Sequence, residues 1–262
     1  MTRRAHMSGL LRTDPGLWLL LHLRHPGDRK GDEVGHCTVC GAESRFVRNR
    51  WVMPRELARE WPAGFIRRES SLCSSCGSSA RIRALAGVLV SLYGEDASCV
   101  AELAGETRFS SLELAELNSV GRMHPFLAGI PRRTYAEYPD EDVQSLSYAD
   151  GAFDAVLTSD TMEHVPDPMR GFQEIRRVLR PGGRHIFTVP LDPARPQTRS
   201  RQGLPPQHHG RGGGPFALIT RKADLLAHTD YGTDLPDLLR EHGFETEVRG
   251  SGVELVFVST AV

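Results

Sequence analysis

Between Phe153 and Pro190 the order of apolar and polar positions predicts a strand, a loop, a helix, a turn and a second strand. Ala155, Val156 and Leu157 form a short unbroken apolar run, the pattern of a strand buried on both faces of a parallel sheet. The polar loop Ser159–His164 follows. Asp167 is placed to cap a helix and Pro168 to open it, since the first turn has no use for an amide hydrogen there. Met169, Phe172, Ile175, Val178 and Leu179 then recur at helical spacing, with Arg176, Arg177 and Arg180 between or after them. Pro181-Gly182-Gly183 stops the run, and His185–Val189 reads as the next strand. A unit of this length is a right-handed crossover between parallel strands. Ligands of such sheets sit at the carboxyl ends of strands, which is where Ser159–His164 falls.

The flanking pattern extends this α/β reading. Ile82, Leu85, Val88 and Leu89 mark a helix opened by Arg81 and Arg83, and Thr134–Tyr138 reads as a strand. Leu235–His242 is helical and stopped by Gly243, and Glu245–Val248 and Val253–Ser259 form a closing antiparallel pair. Residues 191–234 are rich in Pro, Gly, Arg and His and have no clear period, which predicts an insertion over the sheet edge, a substrate lid. Near the start, Leu17-Trp18-Leu19-Leu20-Leu21 is broken by His22 and Arg24 and is too short for a membrane span. It reads as an amphipathic helix, with no targeting segment, no membrane partner and a cytoplasmic location expected.

Composition changes the picture at one point. The 262 residues carry a formal net charge of -1, against wholesale polyanion binding, but residues 1–86 hold 15 Lys and Arg against 8 Asp and Glu. From totals of 32 and 33, that leaves 17 against 25 for residues 87–262, so a basic front precedes an acidic body. The front also holds Cys37-Thr38-Val39-Cys40-Gly41 and Cys73-Ser74-Ser75-Cys76-Gly77. Two such pairs, each followed by glycine, are the knuckles of a zinc ribbon: Cys37, Cys40, Cys73 and Cys76 would close a tetrahedral, structural Zn2+ site. The competing readings are disulfides, disfavoured in a cytoplasmic chain, a redox pair, which explains one CxxC only, and an iron–sulfur cluster. His36 is expected to stand aside, and Cys99 to be a small buried residue. Arg81 and Arg83 would either pair with acids of the body or bind an anionic substrate group. The expected organisation is a helical extension over 1–34, a zinc-knuckle module over 35–86 and a catalytic domain over 87–262.

Phe153-Asp154, Glu163-His164-Val165-Pro166-Asp167-Pro168, Glu174-Ile175, Arg177-Val178-Leu179 and Pro181-Gly182-Gly183, in this order and spacing, resemble the class I S-adenosylmethionine-dependent methyltransferases, in the branch with the ubiquinone-biosynthesis C-methylases. The residues around the second CxxC resemble a knuckle region found on some methyltransferases of polysaccharide and natural-product gene sets. The resemblance implies a Rossmann-like class I methyltransferase sheet with helices on both faces, plus a small zinc-binding module. It implies a cofactor pocket for S-adenosylmethionine, leaving as S-adenosylhomocysteine, lined by Glu113, Ala115, Glu116, Gly121, Glu137, Asp142, Val143, Ser159, Asp160 and Met162. Ala115 stands near where a first glycine is usual, so the turn is glycine-poor. Glu137 would accept the ribose hydroxyls and Asp142 the adenine amino group. These two acids are only five positions apart, too few for a helix and strand, so either a crossover is lost or one assignment shifts. For catalysis, His164, or His208 or His209 of a Pro-Pro-x-x-His-Gly lid element, would take the acceptor's proton, with Asp160 orienting a base.

The expected function is methyl transfer to oxygen or nitrogen of a small molecule, a sugar or specialised metabolite. The alternatives are an RNA methyltransferase gripping its substrate with the basic module and the aromatics Phe46, Trp51, Trp61 and Phe65, or a degenerate fold used for binding or another reaction.

Overall fold

Alternation along the strands, more than any single residue, fixes how this chain layers. In the computed structural model, which describes residues 33–48, 63–209 and 225–262, the order is β1 (Glu33–His36), β2 (Glu43–Arg48), α1 (Ala63–Ser70), β3 (Ser71–Cys73), α2 (Ala80–Tyr93), α3 (Val100–Leu103), α4 (Thr107–Ser110), β4 (Leu114–Leu117), α5 (His124–Leu127), β5 (Arg133–Ala136), β6 (Phe153–Ser159), α6 (Pro168–Val178) and β7 (Leu179–Thr188). Residues 191–234 supply β8 (Arg199–Ser200), β9 (His208–His209), β10 (Leu225–Leu226) and β11 (Thr229–Asp230), and the chain closes with α7 (Leu235–Glu241), β12 (Phe244–Arg249) and β13 (Val256–Ala261).

Six strands form the main sheet in the order β12-β13-β7-β6-β4-β5. The strands β5, β4, β6 and β7 run parallel, while β13 is antiparallel to both β7 and β12. Successive side chains point to opposite faces. Leu114, Ala155, Leu157, Ile186, Val256 and Val258 meet Ile82, Leu85 and Leu89 of α2 in one buried cluster. Ala115, Val156, Phe187, Phe257 and Ala261 meet Phe172, Ile175 and Val178 of α6, with Leu235 and Leu239 of α7, in the other. This is the α/β, Rossmann-like sheet with helices on both faces that the sequence predicts.

The predicted α6 is present, with the Asp167 side chain accepting from the Arg170 amide at 3.1 Å. Two expectations on the sheet need correction. Pro181-Gly182-Gly183 is not a separate turn: β7 starts at Leu179 and runs through it, with a register shift opposite Phe153 and Ala155. Secondly, no strand end forms at Asp142-Val143: between β5 and β6 the described chain makes turns and one isolated bridge, Asp142 to Ser145. The crossover between them is lost, because Pro139, Asp140 and Gly151 favour turns and too few residues remain for a helix and strand.

The front strands form a separate antiparallel sheet, β1-β2-β3. Cys73 on β3, with Cys37, Val39 and Cys76 in the turns after β1 and β3, belongs to the same apolar cluster as α2 and the main sheet. Helix α2 also crosses residue 86, where the module was expected to end. The expected extension over 1–34 lies outside the described residues except for the first two positions of β1. Among the described residues, no helix is long and apolar enough to cross a membrane.

One core residue ties stability to pH. His185 is fully buried in β7, its ring stacked on Phe187 at 4.2 Å and its Nε2 2.9 Å from Thr158 Oγ1. Burial pulls its pKa from 6.5 to about 3. In the unfolded chain the imidazole protonates below 6.5, but in the folded chain it does not until about 3. Stability is therefore complete above 6.5 and falls as pH drops through that window. The loss from this group should reach about 2 kcal/mol by pH 5. Urea unfolding at pH 7 and pH 5 checks this: the drop should shrink by that amount in His185→Asn, and an equal drop in both proteins would refute it.

Candidate active site

At the carboxyl end of β4 the chain must turn sharply, and Asn118 does this with φ 58, a left-handed conformation that Asn tolerates because its short amide bonds locally. Its amide donates to Ala136 O at 2.8 Å and its Oδ1 accepts from the Tyr138 amide at 3.1 Å, which joins the ends of β4 and β5. Gly121 follows with φ 61, and a Cβ there would lie 3.3 Å from Ile82 Cδ1 of α2. Glu116 is fully buried beneath this turn. Its carboxylate accepts from the Val120 amide at 2.9 Å and from Arg133 Nε at 2.8 Å, with His124 Nδ1 2.9 Å away. That acid holds the turn in shape through its own protein partners. The glycine-like position after the strand is thus Asn118, whereas Ala115 lies buried within β4.

The other predicted cofactor residues divide by position. Glu137 directly follows β5, at the same sheet edge as Asn118. Asp142 accepts from the Gln144 amide at 2.9 Å inside the turn that replaces the lost crossover. Val143 and Met162 are buried on either side of Gly171 in α6, whose Cβ would meet Met162 Cε at 2.9 Å and Val143 Cγ1 at 3.3 Å. Glu113 sits at the start of β4, the opposite edge, where it pairs with Arg132 at 3.2 Å. So the structure brings Gly121, Glu137, Asp142, Val143, Ser159, Asp160 and Met162 to one edge and leaves Glu113 at the other.

Asp160 is the most heavily bonded of these. It has φ 47 just past β6, and its oxygens accept from Arg68 Nη1 and Nη2 at 2.6 and 2.7 Å and from Thr188 Oγ1 at 2.9 Å. Arg81 Nε lies 3.3 Å away, and Arg81 also donates to Ser159 Oγ. Glu69 bonds both arginines, at 2.6 Å to Arg68 and 2.8 Å to Arg81. Burial alone would push the Asp160 carboxyl up, but the two guanidiniums and their hydrogen bonds hold it well below the usual carboxylate range. Burial, with the Asp160 charge adding to it, instead drives the neighbouring Glu163 carboxyl well up. The cluster joins α1 and α2 to the carboxyl end of β6. Arg81 thus pairs with Asp160 of the body and with Glu69 of the front module itself, while Arg83 lies over the Phe46 ring at 3.9 Å and donates to the carbonyls of Ser71 and Ser78.

His164 points its Nδ1 at Leu226 O, 3.0 Å away, and its Nε2 lies 3.5 Å from Glu163 Oε1. Burial lowers its pKa. Leu226 pairs with His208, and Leu225 with His209, so the β9–β10 ribbon carries both lid histidines beside the strand that holds the His164 ring. A second ribbon, β8–β11, lies at its base. The centre of the lid, including Gly212-Gly213-Gly214 and Phe216–Ile219, lies outside the described residues.

The four knuckle sulfurs lie within 4.8 Å of one another, with Cys37–Cys76 at 3.8 Å and Cys40–Cys73 at 4.0 Å. A tetrahedral ion with metal–sulfur bonds of about 2.3 Å requires sulfur–sulfur edges of about 3.8 Å. The donor set therefore fits one metal ion and is too tight to wrap a cluster of several irons. Gly41 and Gly77 take φ 73 and 75, and their amides close each knuckle onto Cys37 O and Cys73 O at 2.8 Å. His36 turns away, bonding Ser98 O at 3.0 Å, and Cys99 is buried against Gly41.

Residues 72–187 match the family model described as a methyltransferase domain. The match takes in Cys73, Cys76 and the sheet up to β7 but covers less than half of the chain, and it leaves out Cys37 and Cys40. The chain is 35% identical over 120 residues to a methyltransferase of Mycobacterium sp. (strain KMS), 45% of this chain and 46% of that protein. It is 34% identical over 89 residues to the demethylmenaquinone methyltransferase of Desulfitobacterium hafniense (strain Y51), 34% of each. These alignments thus span less than half the length of either relative. Among solved structures, an S-adenosylmethionine dependent methyltransferase from Mesorhizobium loti is 15% identical, with a TM-score of 0.36, over 58% of this chain and 91% of that one.

Proposed function

We propose that this chain is an S-adenosylmethionine-dependent methyltransferase that methylates oxygen or nitrogen of a small molecule. The supporting observation is the single sheet edge at which the Asn118–Gly121 turn, Glu137, Asp142 and the Ser159–Met162 loop converge, within the stretch that matches the methyltransferase domain. When bound, the sulfonium supplies an already electrophilic methyl group, so the protein's tasks are alignment, exclusion of water and removal of a proton. Glu137 is the acceptor for the ribose hydroxyls. Asp142 and Val143 take the adenine. The turn at Asn118 and Gly121 lets the backbone pass close to the amino-acid part.

In this reading His164 receives the acceptor's proton at Nε2. Its Nδ1 faces a carbonyl and so carries the hydrogen, which leaves the lone pair on Nε2. Its lowered pKa keeps that nitrogen unprotonated at neutral pH. His208 or His209 is the other candidate, brought in by the lid. Asp160 serves as an anchor for this loop, since its carboxylate is held by Arg68, Arg81 and Thr188. Zn2+ held by Cys37, Cys40, Cys73 and Cys76 supplies a structural cross-link. The RNA reading is not favoured, because among the described residues Arg68, Arg81 and Arg83 are engaged within the protein.

Calorimetry with S-adenosylmethionine and S-adenosylhomocysteine tests the reading. Both should bind, and Glu137→Ala should weaken binding by about 1–3 kcal/mol, the cost of hydroxyls left without a charged acceptor. No heat with either ligand would end the proposal, and unchanged affinity in the variant would remove Glu137 from the site.

A further inference from the structure

A cleft of about 210 Å³ opens just beyond the carboxyl end of β7. Its walls come from three places: Phe65 of α1, residues 190–207 with Asp230 and Tyr231 of the lid, and Val253 before β13. None of the residues singled out for the cofactor lines it, yet it adjoins them, since Arg68 donates to Val189 O at 3.4 Å and sits over the Phe65 ring at 5.1 Å.

The charge of this cleft does not balance. It is lined by Arg195, Arg199 and Arg201 against Asp192 and Asp230. Arg199 on β8 stands directly opposite Asp230 on β11, and Arg201, two residues on, falls on the same face of the ribbon. Both contact Asp230, at 2.9 and 2.8 Å, so one carboxylate serves two guanidiniums. Among the described residues the acid nearest Arg195 is Asp192, at 3.6 Å. Three of the lining residues also carry donors that are buried and find no hydrogen-bond partner among the described residues: Arg195 Nε, Arg201 Nε and the Tyr231 hydroxyl. Donors in that state are costly unless an acceptor arrives, and guanidiniums match the planar or tetrahedral oxygens of carboxylate and phosphate. Most of the remaining wall, including Phe65, Leu191, Tyr231 and Val253, is apolar or aromatic, with Gln207 a polar exception.

We propose that this cleft binds the methyl acceptor by an anionic group, carboxylate or phosphate, with Arg195, Arg199 and Arg201 on the anion and the acceptor's ring or apolar body against Phe65 and Tyr231. The inference rests on the methyl-transfer reading for the word acceptor. The anion site itself does not.

Titration calorimetry with phenyl phosphate, benzoate and the neutral benzyl alcohol tests it on the full chain. Phenyl phosphate or benzoate should bind and benzyl alcohol should not, and whichever anion binds more tightly assigns the class. The Arg195→Gln/Arg199→Gln variant should lose about tenfold or more in anion affinity, with its melting temperature and S-adenosylmethionine affinity unchanged. Tyr231→Phe separates a binding role from a merely structural one. If the hydroxyl meets the anion, this variant binds about threefold more weakly or worse although it removes a buried orphan donor. Equal binding of the neutral analogue, or anion affinity untouched by the arginine changes, would overturn the proposal even if S-adenosylmethionine binds. Anion binding in a protein that ignores S-adenosylmethionine would leave the cleft standing and refute the methyl-transfer reading instead.

Discussion

Asp160→Asn should lower the free energy of unfolding by about 3 kcal/mol, the cost of breaking a buried ion pair from one side. Arg68 is 0% exposed, and among the described residues Asp160 and Glu69 are the acids that hold its guanidinium. In the native cluster two guanidiniums face two carboxylates, so neutralising Asp160 leaves one positive charge in excess. Asparagine keeps the shape and accepts φ 47, so backbone strain adds little. A double-mutant cycle with Arg68→Met isolates the pair. Removing both partners restores neutrality, so the double variant should be more stable than the sum of the single changes by about 2 kcal/mol. Urea unfolding of the four proteins measures this, and additivity within about 0.5 kcal/mol would mean that the contact carries no coupling.

That ion pair also shows where reading the chain stops. Arg68 and Asp160 stand 92 positions apart, and no periodicity links them. Asp160 was legible as a residue at a strand end, so its role was assigned by location, as the partner of a base, when its partners are arginines from the front module. The Phe153–Val189 unit was legible because it is local: an apolar run, a cap and a 3.6-residue period lie within one stretch, although the helix ends at Val178 and the strand already runs through Pro181-Gly182-Gly183. The four cysteines were legible because each knuckle is a five-residue motif, although the intervening stretch hid that the module shares a core with the main sheet. Asn118 was missed, yet it carried a signal, since Asn is the residue other than glycine best suited to a left-handed position after a strand. The arginine cleft left almost none. Arg199 and Arg201 look like surface positions in a Pro- and Gly-rich segment until β11 folds back and sets Asp230 against them.

The shared core makes the metal a matter for the whole fold. Protein purified without chelator should contain about one zinc per chain, bound at Cys37, Cys40, Cys73 and Cys76. Three of these sulfurs belong to residues packed with Leu85, Leu103, Leu114 and Val256 in one apolar cluster. Without a cation the four thiols crowd one another, and the hydrogen bonds among them push Cys37 and Cys73 down and Cys40 and Cys76 up. One divalent ion removes that conflict by binding all four as thiolates. Its loss also releases β1–β2 from β3, and with them the seat of α1 and the Arg68 cluster at the end of β6. Cys73→Ser, or treatment with 1,10-phenanthroline, should therefore cost about 4 kcal/mol and lower the melting temperature by about 10 °C in a single transition, with cofactor affinity falling in parallel. A module that melts by itself while the sheet and its cofactor affinity persist would show that the common core does not couple them. Metal-free protein with unchanged melting would show that the four cysteines bind no ion.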